Sequence, residues 1–188
     1  IFYNNRLCFY NSHLDTIKMA GSISGNINTK LDKYQYTQTT DVVKNSDRKR
    51  FAFASPKEGD IFEIYDYSGN IIKTIHGPEI LKPAWIEKKS FKDRVKDRVQ
   101  TYGNISASSK YIYVTFSGEI PGNIGNWLAT IGRNIFVFDW NGNPIKKIKT
   151  KHRLCDIIIS EKRNKIYAVY FDGEYFRLGY HNLNKNIF

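Results

Sequence analysis

The chain has 188 residues and a formal charge of +11, with 13 Tyr, 12 Phe and 3 Trp but a single Met. That length can bury one ordinary core, and the wealth of aromatic residues favours sheet over helix. No stretch approaches the roughly 18–20 apolar residues of a membrane-spanning helix, and no signal-peptide pattern stands at Ile1.

The chain lacks an initiator Met, so it is expected to be a mature or trimmed form or part of a longer polypeptide. Its two cysteines, Cys8 and Cys155, lie far apart and have no Cys or His neighbour at zinc-ligand spacing. One disulfide and two buried free thiols both remain open. Basic residues cluster at Lys44 to Arg50, Lys82 to Arg98 and Lys146 to Arg153. They read first as solvated strands and loops, and second as a surface for an anionic partner.

In chain order, residues 1–40 read as the remnant of a repeating unit. Ile1-Phe-Tyr and Leu7-Cys-Phe-Tyr10 predict a hairpin across Asn4-Asn5, and Gly21 to Thr29 reads as a loop. Tyr34 and Tyr36 alternate with Gln and Thr as in an exposed strand. The first clear unit is 41–75: Val42-Val43 opens a strand, Asn45 to Lys49 turns, and Phe51-Ala-Phe-Ala54 is the second strand. The hairpin Ile61 to Ile75 completes four strands. Residues 76–103 form an insertion in which Trp85, Phe91, Val95 and Val99 fall at roughly helical spacing, which fits a short docked helix or a loop laid on the sheet.

The second unit is 104–150. Its apolar run Ile135-Phe136-Val137-Phe138 is too short for a helix and reads as a strand buried on both faces. Asn141-Gly142 predicts a type I′ turn with two φ > 0 residues. The return limb Ile145-Lys146-Lys147-Ile148-Lys149 reads as an outer edge strand protected by lysine. Gly118 to Arg133 reads as a glycine-rich loop. The closing unit, 154–188, supplies three strands around turns at Glu161 to Asn164 and at Asp172-Gly173. The second strands overlay as Arg50-Phe-Ala-Phe-Ala, Lys110-Tyr-Ile-Tyr-Val and Lys165-Ile-Tyr-Ala-Val. Four-stranded antiparallel units recurring at about 40–50 residues are the signature of an all-β propeller.

The stretches Phe51-Ala-Phe-Ala-Ser-Pro, Gly59 to Gly69 and Tyr102 to Gly142 carry a resemblance, and Ile157 to Leu183 extends it. The chain resembles the C-terminal portion of the TolB-like six-bladed propellers of Bacteroidetes over about Tyr34 to Leu183. The resemblance implies an exported protein, often a lipoprotein of the envelope, with no shared catalytic motif. Six blades need roughly 270 residues, so only three to four are expected here. Missing blades, a second protomer or another protein would then cover the terminal blades, and any lipid anchor would lie outside this chain.

The chemistry to be expected is correspondingly sparse. Asp66, Gly69, Asp139, Asn141 and Gly142 read as structural turn residues. Glu58, Asp60 and Glu63 form the only dense carboxylate group within a blade and have no repeat partner. His13, His76, His152 and His181 stand isolated, and no nucleophile-elbow, phosphate-loop or dinucleotide motif occurs, so no catalytic residue, metal or cofactor is expected. The candidate partner-binding residues are Trp127 in the glycine-rich loop and Trp85, Lys88, Lys92 and Arg94 in the insertion. The expected function is a non-enzymatic protein-binding scaffold. The alternatives are a propeller enzyme acting on carbohydrate or peptide, and a binder of polyanions or nucleic acid, the last being disfavoured.

Overall fold

The computed structural model of the protein describes residues 5–10, 12–22, 41–55, 61–77, 99–120, 124 and 127–183. These residues form β1 (Asn5–Tyr10), β2 (Thr16–Ser22), β3 (Val43–Asn45), β4 (Arg50–Ala54), β5 (Ile61–Asp66) and β6 (Ile71–His76). They continue as β7 (Gln100–Ala107), β8 (Tyr111–Glu119), β9 (Gly132–Asp139), β10 (Pro144–Ser160), β11 (Lys165–Phe171) and β12 (Phe176–Asn182). A 3-10 helix, Leu128–Thr130, precedes β9.

Within each sheet, strands adjacent in sequence pair antiparallel. β3 to β6 make a four-stranded sheet, the first blade. β7 to β12 make six strands in one ladder, because β10 serves twice. Residues 144–149 of β10 pair with β9 as the outer strand of the middle blade. Residues 153–160 pair with β11 as the inner strand of the third blade. The three inner strands are neighbours: β7 contacts β3 on one side and the later part of β10 on the other. Blades set radially with their first strands side by side are a β-propeller.

The strands form where β-branched and aromatic residues alternate faces, and each face packs on an adjacent blade. On the first blade Ala52, Ala54, Phe62 and Ile64 meet Ile112, Val114, Phe116 and Phe138 of the middle blade. The rings of Phe62 and Phe138 stack 4.9 Å apart. Phe51, Phe53 and Tyr65 turn the other way, onto Leu7 and Phe9 of β1. On the middle blade Tyr113, Ile135 and Val137 meet Leu154, Ile157 and Ile166 of the third. Full burial of one such side chain contributes about 1.5–3 kcal/mol, so these faces hold the blades together. Outer strand β6 is largely exposed, as is the first half of β10.

Four local expectations are revised. Asn5 lies within β1 and pairs with Ser22 through a turn at His13 and Leu14 (φ 64°), while Ile1 to Asn4 of the expected first hairpin lie outside the described residues. Phe9 is drawn onto Phe51, 5.6 Å between ring centroids, and Thr16–Ser22 is the strand that completes the pair. Gly21 accordingly belongs to β2 rather than to a loop.

Gly118 and Glu119 end β8, and Gly132 and Arg133 begin β9, so the glycine-rich connection is shorter than its sequence suggests. Asn141-Gly142 is not a type I′ turn. Gly142 alone has positive φ (83°), as does Gly69 (77°) in the first blade.

Finally, Tyr111 rather than Lys110 matches Arg50 and Lys165. Arg50 opposes Asp66, Tyr111 opposes Asp139 and Lys165 opposes Asn182. The preceding turns differ in kind. Those of the first and third blades close through left-handed Lys49 (φ 50°) and Asn164 (φ 53°), while in the middle blade Ser108 N–H donates to Tyr111 O at 2.8 Å around only two residues.

Candidate interaction surface

The third blade has one covered face and one open face. Cross-strand pairing puts Tyr167 beside Tyr180, Val169 beside Leu178 and Phe171 beside Phe176 on the open side. Ile158 pairs with Tyr167 and joins them. Leu178 is 78% exposed and Tyr180 62%. Trp127, 50% exposed, closes one end: its ring stands edge-on to Phe171 at 5.0 Å and tilted to Phe176 at 6.0 Å. Lys165 Nζ lies 3.7 Å from the centroid of the Tyr180 ring, within cation–π reach.

Trp127 is held by fixed backbone. Arg153 Nη1 donates to Leu128 O (3.3 Å) and Ile131 O (3.1 Å), and its Nη2 pairs with Glu119 at 3.0 Å. Thr130 Oγ1 donates to Trp127 O at 2.7 Å. Arg153, read from sequence as part of a basic cluster, is thus a brace for this segment. The turn into β12 is equally fixed. Asp172 accepts from Tyr175 N–H (2.8 Å), Arg177 Nε (2.8 Å) and Glu174 N–H (2.9 Å). Those bonds, led by the one from Tyr175 N–H, hold its carboxyl well below the usual aspartate range.

Asp66 and Asp139 tie their hairpins in the same way. Asp139 Oδ1 accepts from Asn141 N–H (2.8 Å) and Asn143 N–H (2.9 Å), and Oδ2 from Asn143 Nδ2 (2.8 Å). Asp66 accepts from Asn70 N–H and Asn70 Nδ2, each at 2.8 Å. In Asp139 burial pushes the pKa up, but the bonds from Asn143, Asn141 and Gly142 together outweigh it and bring the carboxyl below its ordinary value. In Asp66 the bond from Asn70 N–H leads and the direction is the same. These carboxylates spend their lone pairs on backbone, as turn-forming aspartates do.

Glu63 is buried and accepts from Tyr65 Oη at 2.9 Å, while Glu58 and Asp60 lie outside the described residues. Among the described residues no three His, Cys, Asp or Glu side chains are grouped to hold a metal ion, and no helix is long and apolar enough to cross a membrane. Cys8 and Cys155 are not joined in a disulfide, and burial raises the pKa of Cys155. The tight packing of Tyr113 pushes its phenol up to about 12.

Of the sequence-derived partner-binding candidates, Trp127 is the one among the described residues, and it falls on this surface. Trp85, Lys88, Lys92 and Arg94 lie outside the described residues. Sequence reasoning missed Ile158, Phe176, Leu178 and Tyr180. The available signal was the strict alternation of Phe176-Arg-Leu-Gly-Tyr180, which marks a strand with only one apolar face.

A family model described as TolB-like 6-blade propeller-like matches residues 2–162. The chain belongs to this family. Similar solved structures include the dihydro-heme d1 dehydrogenase NirN (10% identity, 91% of this chain and 31% of that one, TM-score 0.46). Others are U3-55K (10% identity, 78% and 40%, TM-score 0.44) and Kluyveromyces lactis Hsv2 (14% identity, 78% and 33%, TM-score 0.43). The TolB-like chain thus spans less than half of each of these structures. The comparison with curated proteins finds no match.

Proposed function

We propose that this TolB-like chain is a non-enzymatic binding scaffold of the cell envelope that acts through protein–protein contacts. The observation that supports the reading is the aromatic and aliphatic face formed by Trp127, Phe171, Phe176, Leu178 and Tyr180. The equivalent face of each earlier blade is covered by a neighbouring blade, and exposed apolar faces with aromatic anchors mark interaction sites. In the working protein this face is covered by further blades, a second protomer or another envelope protein. Trp85, Lys88, Lys92 and Arg94, which lie outside the described residues, are offered as further aromatic and cationic partner-binding residues. Export as a lipoprotein of the Bacteroidetes type, with the anchor outside this chain, completes the proposal.

A photo-crosslinking residue at Leu178 in cells tests it, with Lys162 as an exposed control. Expected are a specific adduct from Leu178, none from Lys162, and recovery in the envelope fraction. A lone, adduct-free protein in the cytosol would sink the reading. The polyanion alternative draws on exposed Lys146, Lys147, Lys149 and Lys151 of β10. It requires affinity for heparin or nucleic acid that falls steeply with salt.

A further inference from the structure

The two blade–blade interfaces share one geometry but are filled differently. Since Tyr111 opposes Asp139 and Lys165 opposes Asn182, Phe136 and Gly179 occupy equivalent places. Phe138 and His181 are likewise equivalent, as are Val114 and Ala168. Between the first and middle blades the phenyl rings fill the space: Phe138 stacks on Phe62, and Phe136 stands edge-on to Phe116 at 5.1 Å. Between the middle and third blades those rings are missing, and a cleft of about 440 Å³ remains. That volume lies in the range of small-molecule sites, about 300–1,000 Å³.

The cleft has an apolar floor of Ile135, Ile148, Ile166 and Ala168. One wall is the ring of His152 stacked on Tyr170, 4.8 Å between centroids and 28° between planes. Lys149, Lys151 and His181 line it as well, and among the described residues no carboxylate does. Gly179 keeps it open. A Cβ there would meet Tyr170 Cε1 at 2.9 Å, so a side chain would push that ring out of place.

We infer that this cleft binds a small aromatic carboxylate. Its ring takes the place that Phe136 and Phe138 fill one blade earlier, lying on the aliphatic floor beside the His152–Tyr170 stack. Its carboxylate meets the lysine side, where no Asp or Glu among the described lining residues offsets the positive charge. A neutral ring of the same shape gains the floor but not the lysines.

Calorimetric titration of the intact chain with 1-naphthoate, and with neutral 1-naphthylmethanol, tests the site. Expected is saturable 1:1 binding of the acid, with the alcohol about tenfold weaker or more. Ala168→Phe refills the floor and is expected to weaken 1-naphthoate at least about tenfold. The double substitution Lys149→Gln/Lys151→Gln, at exposed positions, is expected to bring the acid down to the level of the alcohol. It decides the matter by itself if Ala168→Phe fails to fold. Lys162→Gln, at an exposed lysine in the turn between β10 and β11 that does not line the cleft, is expected to leave the affinity within about twofold. The inference is overturned by absence of saturable binding, by equal affinity for acid and alcohol, by a folded Ala168→Phe chain that binds normally, or by loss of binding in Lys162→Gln.

Discussion

β9 and β12 occupy the same place in consecutive blades, the third strand from the centre, and both carry large apolar residues toward the next blade. In β9 those residues are Ile135 and Val137, 2% and 1% exposed; in β12 they are Leu178 and Tyr180, 78% and 62% exposed. Both strands are paired, and both turns that flank them are tied by an aspartate. The difference lies in the neighbour: β9 has a blade laid over it and β12 has none among the described residues. Burial in a propeller is conferred by the next repeat, so stability adds up as nearest-neighbour terms. An apolar strand on a terminal blade is therefore a binding surface until something covers it.

Truncation should separate the two strands most sharply. Phe138→Ala removes the ring stacked on Phe62 and is expected to cost about 3–5 kcal/mol in urea unfolding. Leu178→Ala on the open face is expected to cost under about 0.5 kcal/mol in the isolated chain. Equal losses would mean that β12 is covered.

Next in size is Gly142→Ala. It forces a left-handed residue, about 1–2 kcal/mol, and sets a Cβ 2.7 Å from Lys73 Cγ and 2.9 Å from Ile75 Cδ1 of the preceding blade. A drop in thermal midpoint that Lys73→Ala partly relieves would show that the contact adds to the backbone strain.

Arg50 and Lys165 offer a smaller test of the same comparison. Arg50 Nη1 donates across the blade boundary to Trp140 O and to Asn141 Oδ1. Lys165, its equivalent, rests on Tyr180 instead. Arg50→Ala should lower stability by about 1 kcal/mol, and Lys165→Ala by less than about half of that. The reverse order, measured by chemical unfolding, would mean that the boundary bond contributes little.

The smallest effect at neutral pH appears only in acid. The folded pKa values of Asp139 and Asp172 lie below the ordinary 3.8. The unfolded chain therefore binds more protons as pH falls through that value, and stability rises with pH there. Their contribution is complete above about pH 4 and is lost progressively below it. Asp139→Asn and Asp172→Asn should each flatten the acid limb of thermal midpoint against pH. A limb as steep as that of the parent chain would exclude that turn as its source.

Much of this architecture is legible in local chemistry. Ile135 to Phe138 announces a buried strand, the lysine-rich limb after Pro144 an edge, and the recurrence of Asp-x-x-Gly-Asn a repeated blade. At the same place in the third blade the sequence Asn182-Leu183-Asn184-Lys185-Asn186 puts Lys where the others have Gly, and residues 184–186 lie outside the described ones. Its first part is nonetheless equivalent, since Leu183 N–H donates to Asn164 O (2.8 Å) as Tyr67 N–H does to Lys49 O (3.0 Å). Turn type was misjudged because Asn-Gly is only half of the signal; the carboxylate two residues earlier captures the backbone and changes its path. The open face and the cleft were out of reach for another reason. Both depend on which residues of different blades share a face, and one residue of register reverses that.

β10 carries a last consequence. One uninterrupted strand of 17 residues ends the middle blade and begins the third. Where its pairing with β9 breaks, between Lys149 and Leu154, the Thr150 hydroxyl bridges Arg133 O (3.0 Å) and His152 O (2.7 Å). A flexible linker would let two blades open separately. A shared strand instead makes them a single cooperative unit, so amide exchange in β8, β9 and β11 should report one common opening event, and a protease should find no cut site between them.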